Sequence, residues 1–264
     1  MIPNPRQWGT GAHQRPNRYV AVTTVRQDGN VVDVYETPFG VRTLKFDPNS
    51  GFKKDRFYLY QSYWRPDHPA AHILPHWTWP ERIGQVTPVH VYTSGDEAEL
   101  FLNGKSLGRK KKGPFEYRLR WDDVVYEPGE LRVVAYKNGK KWATDSVKTA
   151  GPASKLSLTP DRAAISDDGK DLSYVTLTIE DEDSEMVPRS MNPIHFEISG
   201  PGEIVATDNG DPTDITAFPS KYRKAFNGLA LAVVRSKRGQ SGKIVVTAKS
   251  KRLEDARATI LVHQ

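Results

Sequence analysis

The stretch DEAELFLNGKSLG, residues 96–108, determines the fold class of this chain. Leu100 and Leu102 fall on the same face of an extended segment, and this period of two is typical of a strand with one buried side. The Asn103-Gly104 pair that follows is a strong signal for a two-residue hairpin turn of type I′. The stretch therefore predicts a β-hairpin, and Asn138-Gly139 predicts a second one.

The period of two continues on both sides of this hairpin. Val89 and Val91 alternate with polar or aromatic neighbours before it. Further strands are predicted at Tyr117–Trp121, Leu131–Tyr136 and Lys141–Val147. About six strands in roughly 65 residues is the density of an immunoglobulin-like β-sandwich, which we assign to residues 85–150.

A second series of strands follows a short linker, Gly151–Ser154. Alternating apolar residues predict about seven strands between Leu156 and Val262, which we assign to a second sandwich over residues 151–264. The predicted fold class is therefore all-β: two immunoglobulin-like β-sandwiches in tandem, plus an N-terminal partial sheet and one short helix.

The partial sheet is predicted in residues 1–52. Its strands are expected at Arg18–Arg26, Val31–Tyr35 and Val41–Phe46, with a hairpin turn at residues 27–30. Two or three strands alone are marginal in water. We therefore expect this sheet to dock on the sandwich that starts near Thr87, or to pair with an edge strand of another copy and form a homodimer.

Residues 53–84 are predicted to form a short helix and an aromatic linker strand. Phe57, Tyr60 and Trp64 have helical spacing, and Pro66 prevents the helix from continuing. The helix is expected over Lys53–Ser62 as a packing element.

Composition and charge exclude several classes of protein. The formal net charge is +6, but the densest basic run, Arg109–Lys112, lies beside turn-rich sequence without a nucleic-acid motif. The longest apolar runs are far below the roughly 18 residues of a membrane span, and the N-terminus lacks the layout of a secretion signal. We therefore expect no nucleic-acid or membrane partner and leave the localisation open. With no Cys, disulfides and thiolate zinc sites are excluded.

Several stretches resemble the parts of glycoside hydrolase family 2, the β-galactosidase family, that lie outside its catalytic barrel. VYETPFGVR resembles the end of the sandwich before the barrel, and residues 96–108 resemble a hairpin of the domain after it. KDRFYLYQ with HILPHWTW resembles the last barrel helix and the exit strand. These matches lie at residues 34–42, 96–108, 54–61 and 72–79, and the final domain is matched at 208–214 and 223–228. The resemblance spans nearly the whole chain, in the order of the family.

The resemblance also implies that the catalytic barrel is missing, because Ser50–Lys53 joins the strands before the barrel directly to the helix after it. In the family, the acid/base is a Glu directly after an Asn, and a second barrel Glu is the nucleophile. This sequence contains no Asn-Glu dipeptide, so neither role can be assigned to a residue here. The implied function is that of a barrel-less relative, acting as a carbohydrate-binding or structural accessory protein, or of a deletion product without a selected function.

A cluster of aromatic residues and histidines is the candidate substrate-binding site. Trp rings stack on the apolar faces of sugars, while imidazoles hold hydroxyl groups, and in intact relatives this segment lies close to the sugar pocket. The alternative is a structural wedge between domains. Zinc is not expected, because no third ligand accompanies the two histidines. The candidate residues are Trp64, His72, His76, Trp77 and Trp79.

An alternative function is a compact glycoside hydrolase that cleaves β-galactoside or β-glucuronide-type substrates. It would need two carboxyl groups about 5–5.5 Å apart for retention or about 6.5–9.5 Å apart for inversion. The best candidates near the aromatic cluster are Asp67 and Glu81, with Asp96, Glu97 and Glu99 behind them. A surface charge is the competing interpretation for each of these residues, and the one that its residue type favours.

A loop rich in Gly, Pro and Thr holds Asp208, Asp211 and Asp214. Carboxylate oxygens at this spacing make the loop a candidate Ca²⁺ site, although it lacks the EF-hand pattern. Turn capping by the same side chains is the alternative. No other cofactor is expected.

Overall fold

The computed structural model describes residues 19–39, 52–113 and 116–264. The described residues form two units, one of residues 19–39 and one of residues 52–113 and 116–264. Strands dominate both units, which confirms the predicted all-β fold class. Among the described residues, α1 (Asp55–Trp64) is the single α-helix, and it is neither long nor apolar enough to cross a membrane.

The N-terminal unit is an antiparallel hairpin of β1 (Tyr19–Gln27) and β2 (Asn30–Phe39). Asp28 and Gly29 connect the strands with φ angles of 51° and 83°, as a type I′ turn requires. The third predicted strand, Val41–Phe46, lies outside the described residues.

The first sandwich has a three-stranded sheet in the order β3-β4-β7 and a four-stranded sheet in the order β6-β5-β8-β9. The two Asn-Gly pairs form the predicted turns between β5 and β6 and between β8 and β9, with positive φ at each residue. The strands are β3 (Ala71–Leu74), β4 (Val89–Thr93), β5 (Glu97–Leu102), β6 (Lys105–Lys111), β7 (Leu119–Trp121), β8 (Glu130–Lys137) and β9 (Lys140–Lys148).

Strand β3 corrects one expectation, because the segment assigned to a linker is part of the first sandwich. Ala71–Leu74 pairs with β4, and Ile73 lies in the sandwich core together with Trp77 and Trp121. Proline at position 75 and the short length of the strand hide its period of two. A 3₁₀ turn, Pro80–Arg82, then leads toward β4.

The second sandwich has a four-stranded sheet, β10-β12-β16-β14, and a five-stranded sheet, β11-β18-β17-β13-β15. About seven strands were expected; β11 and β15 have three residues each and are too short to produce a detectable period. The strands are β10 (Lys155–Pro160), β11 (Ala164–Ser166), β12 (Leu172–Glu180), β13 (Pro193–Ser199), β14 (Gly202–Asp208), β15 (Tyr222–Lys224), β16 (Leu229–Ser236), β17 (Gly242–Lys249) and β18 (Ala256–His263).

Helix α1 begins and ends two residues later than predicted. Its N-cap is Lys54, whose side chain makes no capping hydrogen bond but reaches the second sandwich, where Nζ donates to the Gly210 carbonyl at 2.7 Å. The helix packs on β3 and β4 of the first sandwich. Helix α1 and its N-cap therefore contact both sandwiches.

Candidate functional site

His72 anchors α1 to the first sandwich. Its ring stacks on Tyr58 with centroids 3.8 Å apart, and Nε2 lies 3.1 Å from Oδ1 of Asp55. On the other side, Nδ1 lies 3.8 Å from Asp145, whose carboxylate also accepts the Ile73 amide hydrogen at 2.8 Å. Burial, followed by the charges of Asp145 and Asp55, raises the pKa of Tyr58. One face and both ring nitrogens of His72 thus contact other groups of the protein.

Trp77 is completely buried in the first sandwich. Its indole Nε1 donates to the Glu127 carbonyl at 2.9 Å, and its ring meets Tyr126 edge-on at 4.8 Å. A buried ring presents no face to a sugar. Trp77 is therefore a core residue of the first sandwich.

His76 and Trp79 form a stacked pair next to the second sandwich. Their centroids are 4.1 Å apart, and Trp79 Nε1 donates to the His76 carbonyl at 2.8 Å. The guanidinium group of Arg189, from the second sandwich, lies over the Trp79 ring at 5.3 Å and binds both oxygens of Glu81 at 2.7 Å. Burial, then the charge of Arg189, lowers the pKa of His76. This cluster joins the two sandwiches.

The two candidate acids are both paired with arginines. Arg65 lies 3.3 Å from Asp67, and its hydrogen bond lowers the pKa of that carboxyl group. The pKa of Glu81 is lowered by its own backbone amide and by Arg189. A general acid needs a raised pKa, so both environments favour the opposite state.

The three further candidate carboxylates, those of Asp96, Glu97 and Glu99, also have partners within the first sandwich. Their main contacts are Asp96 with the Asn138 amide at 3.0 Å, Glu97 with Arg109 at 2.6 Å, and Glu99 with the Ser106 hydroxyl at 2.6 Å.

Trp64 is the only one of the five predicted sugar-binding residues that is largely exposed, at 55%. It stacks on Tyr60 of the preceding helical turn with centroids 4.7 Å apart, and Tyr63 beside it is also exposed. We call Tyr60, Tyr63 and Trp64 the helix aromatic patch. The sequence predicts a packing role for Tyr60 and none for Tyr63, although spacings of three and four residues place both with Trp64 on one face of a helix.

The three aspartates of the Gly-rich loop cap turns. Asp208 accepts the amide hydrogen of Asn209 at 2.8 Å, and Asp211 accepts that of Thr213 at 2.9 Å. Asp214 binds the Arg223 guanidinium at 3.0 Å, so a positive charge already lies against its carboxylate. In the described part of the chain, no group of three His, Asp or Glu side chains is arranged to hold a metal.

Family models match three parts of the chain. "Glycosyl hydrolases family 2" matches residues 1–42, a domain of unknown function (DUF4982) matches residues 84–143, and "Glycoside hydrolase family 2 C-terminal domain 5" matches residues 156–259. The chain contains domains of glycoside hydrolase family 2. Only about 40 residues separate the first two matches, whereas a catalytic (β/α)₈ barrel needs about 250, so this chain has no barrel there.

Similar proteins are much longer than this chain. β-Galactosidase BoGH2A of Bacteroides ovatus is 40% identical over 208 residues, which cover 78% of this chain and 24% of that protein. A putative β-glucuronidase of Formosa agariphila is 38% identical over 203 residues, or 75% of this chain and 19% of that protein. The crystal structure of a β-glycosidase from Bacteroides vulgatus superposes with a TM-score of 0.75 at 32% identity, over 79% of this chain and 26% of that one. The chain thus spans about a quarter of the length of these relatives.

Proposed function

We propose that this chain is a non-catalytic carbohydrate-binding protein built from the accessory domains of family 2 glycoside hydrolases. The observation that carries the proposal is the pairing of both candidate acids with arginines, Asp67 with Arg65 and Glu81 with Arg189. Named relatives are β-galactosidases and β-glucuronidases, which supports a carbohydrate as the ligand.

Catalysis is disfavoured by the charge state of the two candidate acids. Glycosidic bond cleavage needs one protonated carboxyl group to donate to the leaving oxygen and a second one as nucleophile or base. Asp67 and Glu81 are each held as carboxylates, because an adjacent guanidinium group favours the ionised form. Neither is therefore suited to be the proton donor at neutral pH.

The helix aromatic patch is the surface we propose for sugar contact. The exposed face of Trp64 offers the apolar plane on which a pyranose ring stacks, and its stacking on Tyr60 limits its motion. Arg65 and Asp67 follow directly in the chain and carry hydrogen-bond donors and acceptors for sugar hydroxyls. An exposed apolar plane beside polar groups is the usual composition of a sugar site.

Titration with galactose, glucuronate and their disaccharides, followed by NMR chemical shifts, tests this proposal. We expect saturable shifts in the signals of residues 60–67 that Trp64→Ala removes. Tyr117→Ala, a change at an exposed tyrosine of the first sandwich, should leave them unchanged. Saturable galactose binding that survives Trp64→Ala, without shifts in these signals, would refute the patch as the binding surface.

A second assay, with chromogenic β-galactosides and β-glucuronides, tests the absence of catalysis. We expect no turnover at high protein concentration. Turnover abolished by Glu81→Gln or Asp67→Asn would instead establish the compact glycoside hydrolase.

A further inference from the structure

The outer face of the second sandwich contains an open groove at the edge of its five-stranded sheet. The groove has a volume of about 480 Å³, within the approximate 300–1,000 Å³ range of ligand sites. It lies across the edge strand β15, its neighbour β13 and the end of β17. We call it the lysine groove, and its principal residues are Pro193, His195, Tyr222, Lys224, Lys249 and Lys251.

Strand register places an aromatic and cationic row along this groove. His195 of β13 is opposite Tyr222 of β15 on one side and Lys249 of β17 on the other. Side chains directly opposite each other on neighbouring strands lie on the same face of a sheet. Lys224 is opposite Pro193 in the next row of that face.

Tyr222 provides a fixed aromatic surface. Its ring stacks on His195 with centroids 4.3 Å apart and an interplanar angle of 9°, yet 65% of Tyr222 is exposed. An exposed ring held by a stacked neighbour loses little freedom when a ligand stacks on it. Sugar rings present the flat apolar faces that suit such a surface.

The charge of the groove is positive. No aspartate or glutamate lines it, and the nearby Glu197 is paired with Lys249 at 2.8 Å. Within the described ranges, Lys224 and Lys251 have no carboxylate within 4.0 Å. Two exposed ammonium groups are therefore free to bind an anion next to the Tyr222 ring.

The edge strand is held in place from inside by Arg223, between Tyr222 and Lys224. Its guanidinium group donates to the Thr207 carbonyl at 2.6 Å and to Asp214 at 3.0 Å. It also donates to the Thr216 and Ala217 carbonyls at 3.1 and 3.2 Å. The groove is thus formed before any ligand binds.

From this arrangement we infer that the lysine groove binds an acidic polysaccharide, through stacking on Tyr222 and pairing of Lys224 and Lys251 with carboxylate or sulfate groups. The site is separate from the helix aromatic patch and does not depend on it. Nucleic acid is disfavoured, because proteins that bind it typically neutralise about 6–10 phosphates, whereas this groove has two free lysines.

Affinity electrophoresis and calorimetry with four polymers test the inference: polygalacturonate, carrageenan, neutral galactan and single-stranded DNA. We expect tighter binding to polygalacturonate or carrageenan than to galactan or DNA, with an affinity that falls as salt rises. The first two polymers distinguish carboxylate from sulfate as the bound group. Equal binding to galactan, or tighter binding to DNA, would overturn the inference.

Matched variants locate the site. Tyr222→Ala should weaken binding roughly tenfold, and Lys224→Ala with Lys251→Ala should remove the preference for acidic polymers. Lys237→Ala with Lys243→Ala removes the same charge from the same sandwich, with Lys243 about 20 Å from Lys249 along β17, and should change binding little. If this control pair loses the preference for acidic polymers to the same extent, the groove is not the site. Trp64→Ala, in the helix aromatic patch, should leave polymer binding intact.

Discussion

Arg223 is a residue whose burial and hydrogen bonding determine the shape of the β15 edge. Its side chain is 1% exposed, and each of its nitrogens donates to a backbone or side-chain oxygen. A buried charge is tolerated only when it is paired and fully hydrogen-bonded. Removing the guanidinium group leaves Asp214 and several carbonyls without their donor.

We therefore predict that Arg223→Ala lowers the free energy of unfolding by roughly 3–5 kcal/mol, the usual effect of breaking a buried pair. Urea denaturation followed by circular dichroism measures the change. Arg235→Ala breaks an exposed pair with Glu203 in the same sandwich and should leave the denaturation midpoint nearly unchanged. Similar losses in the two variants would contradict this account of Arg223.

Asp214 makes the stability of the second sandwich depend on pH. Hydrogen bonds from Thr216, followed by that from Arg223, hold the pKa of Asp214 far below its usual range. Because this pKa is lower in the folded chain, ionised Asp214 stabilises the fold above its unfolded pKa, near 4, and this contribution is lost as the pH falls below about 4. The free energy of unfolding of the parent should therefore decrease below about pH 4, and that of Asp214→Asn should decrease less steeply.

Denaturation curves at pH 7 and at several values below pH 4 measure this dependence. Asp123→Asn, which replaces an exposed carboxylate of the first sandwich, is the matched control and should keep the parent's decrease. If Asp214→Asn loses as much unfolding free energy below pH 4 as the parent, Asp214 is not the source of the pH dependence.

At the scale of the element, α1 depends on the first sandwich. A ten-residue helix is marginal alone, and α1 has no side-chain cap at its N-terminus. Its attachment includes the stack of Tyr58 on His72 and the contact of His72 with Asp55. The helix should therefore open locally when this attachment is weakened.

We predict that His72→Ala speeds amide hydrogen exchange in residues 55–64, with little change in the second sandwich. Hydrogen exchange measured by mass spectrometry resolves the two regions. His68→Ala, at an exposed histidine just after the helix, is the control and should leave the protection of α1 unchanged. Unchanged exchange in His72→Ala would show that other contacts hold the helix.

Elements with a clear period were predictable, and short or irregular ones were not. The Asn-Gly pairs at 103 and 138 specified their hairpins because their positive φ angles are available to few residue types. By contrast, β3 and β15 have four and three residues, and their assignment depends on neighbours far along the chain. The aromatic cluster was found by residue type, but whether a tryptophan is buried like Trp77 or exposed like Trp64 depends on tertiary packing.

At the scale of the whole molecule, the N-terminal hairpin carries an apolar face. Val20, Val22 and Val34 lie on the same side of β1 and β2, each 52–57% exposed, and Glu36 lies opposite Val22 on that side. Two strands are marginal alone, and exposed valines on a strand pair favour association with another sheet. Pairing with a second copy would bury this face and give the homodimer predicted from the sequence.

Sedimentation velocity at several protein concentrations tests this prediction. We expect a concentration-dependent dimer, which Val22→Lys converts to a monomer because a buried lysine charge opposes association. Thr23→Lys places the same charge on the other face of the hairpin and should leave the dimer intact. The alternative is that the valine face docks on the first sandwich of the same chain. In that case the parent sediments as a monomer, and Val22→Lys lowers its thermal midpoint by the same amount at every protein concentration. A monomeric parent whose stability is insensitive to Val22→Lys would refute both arrangements.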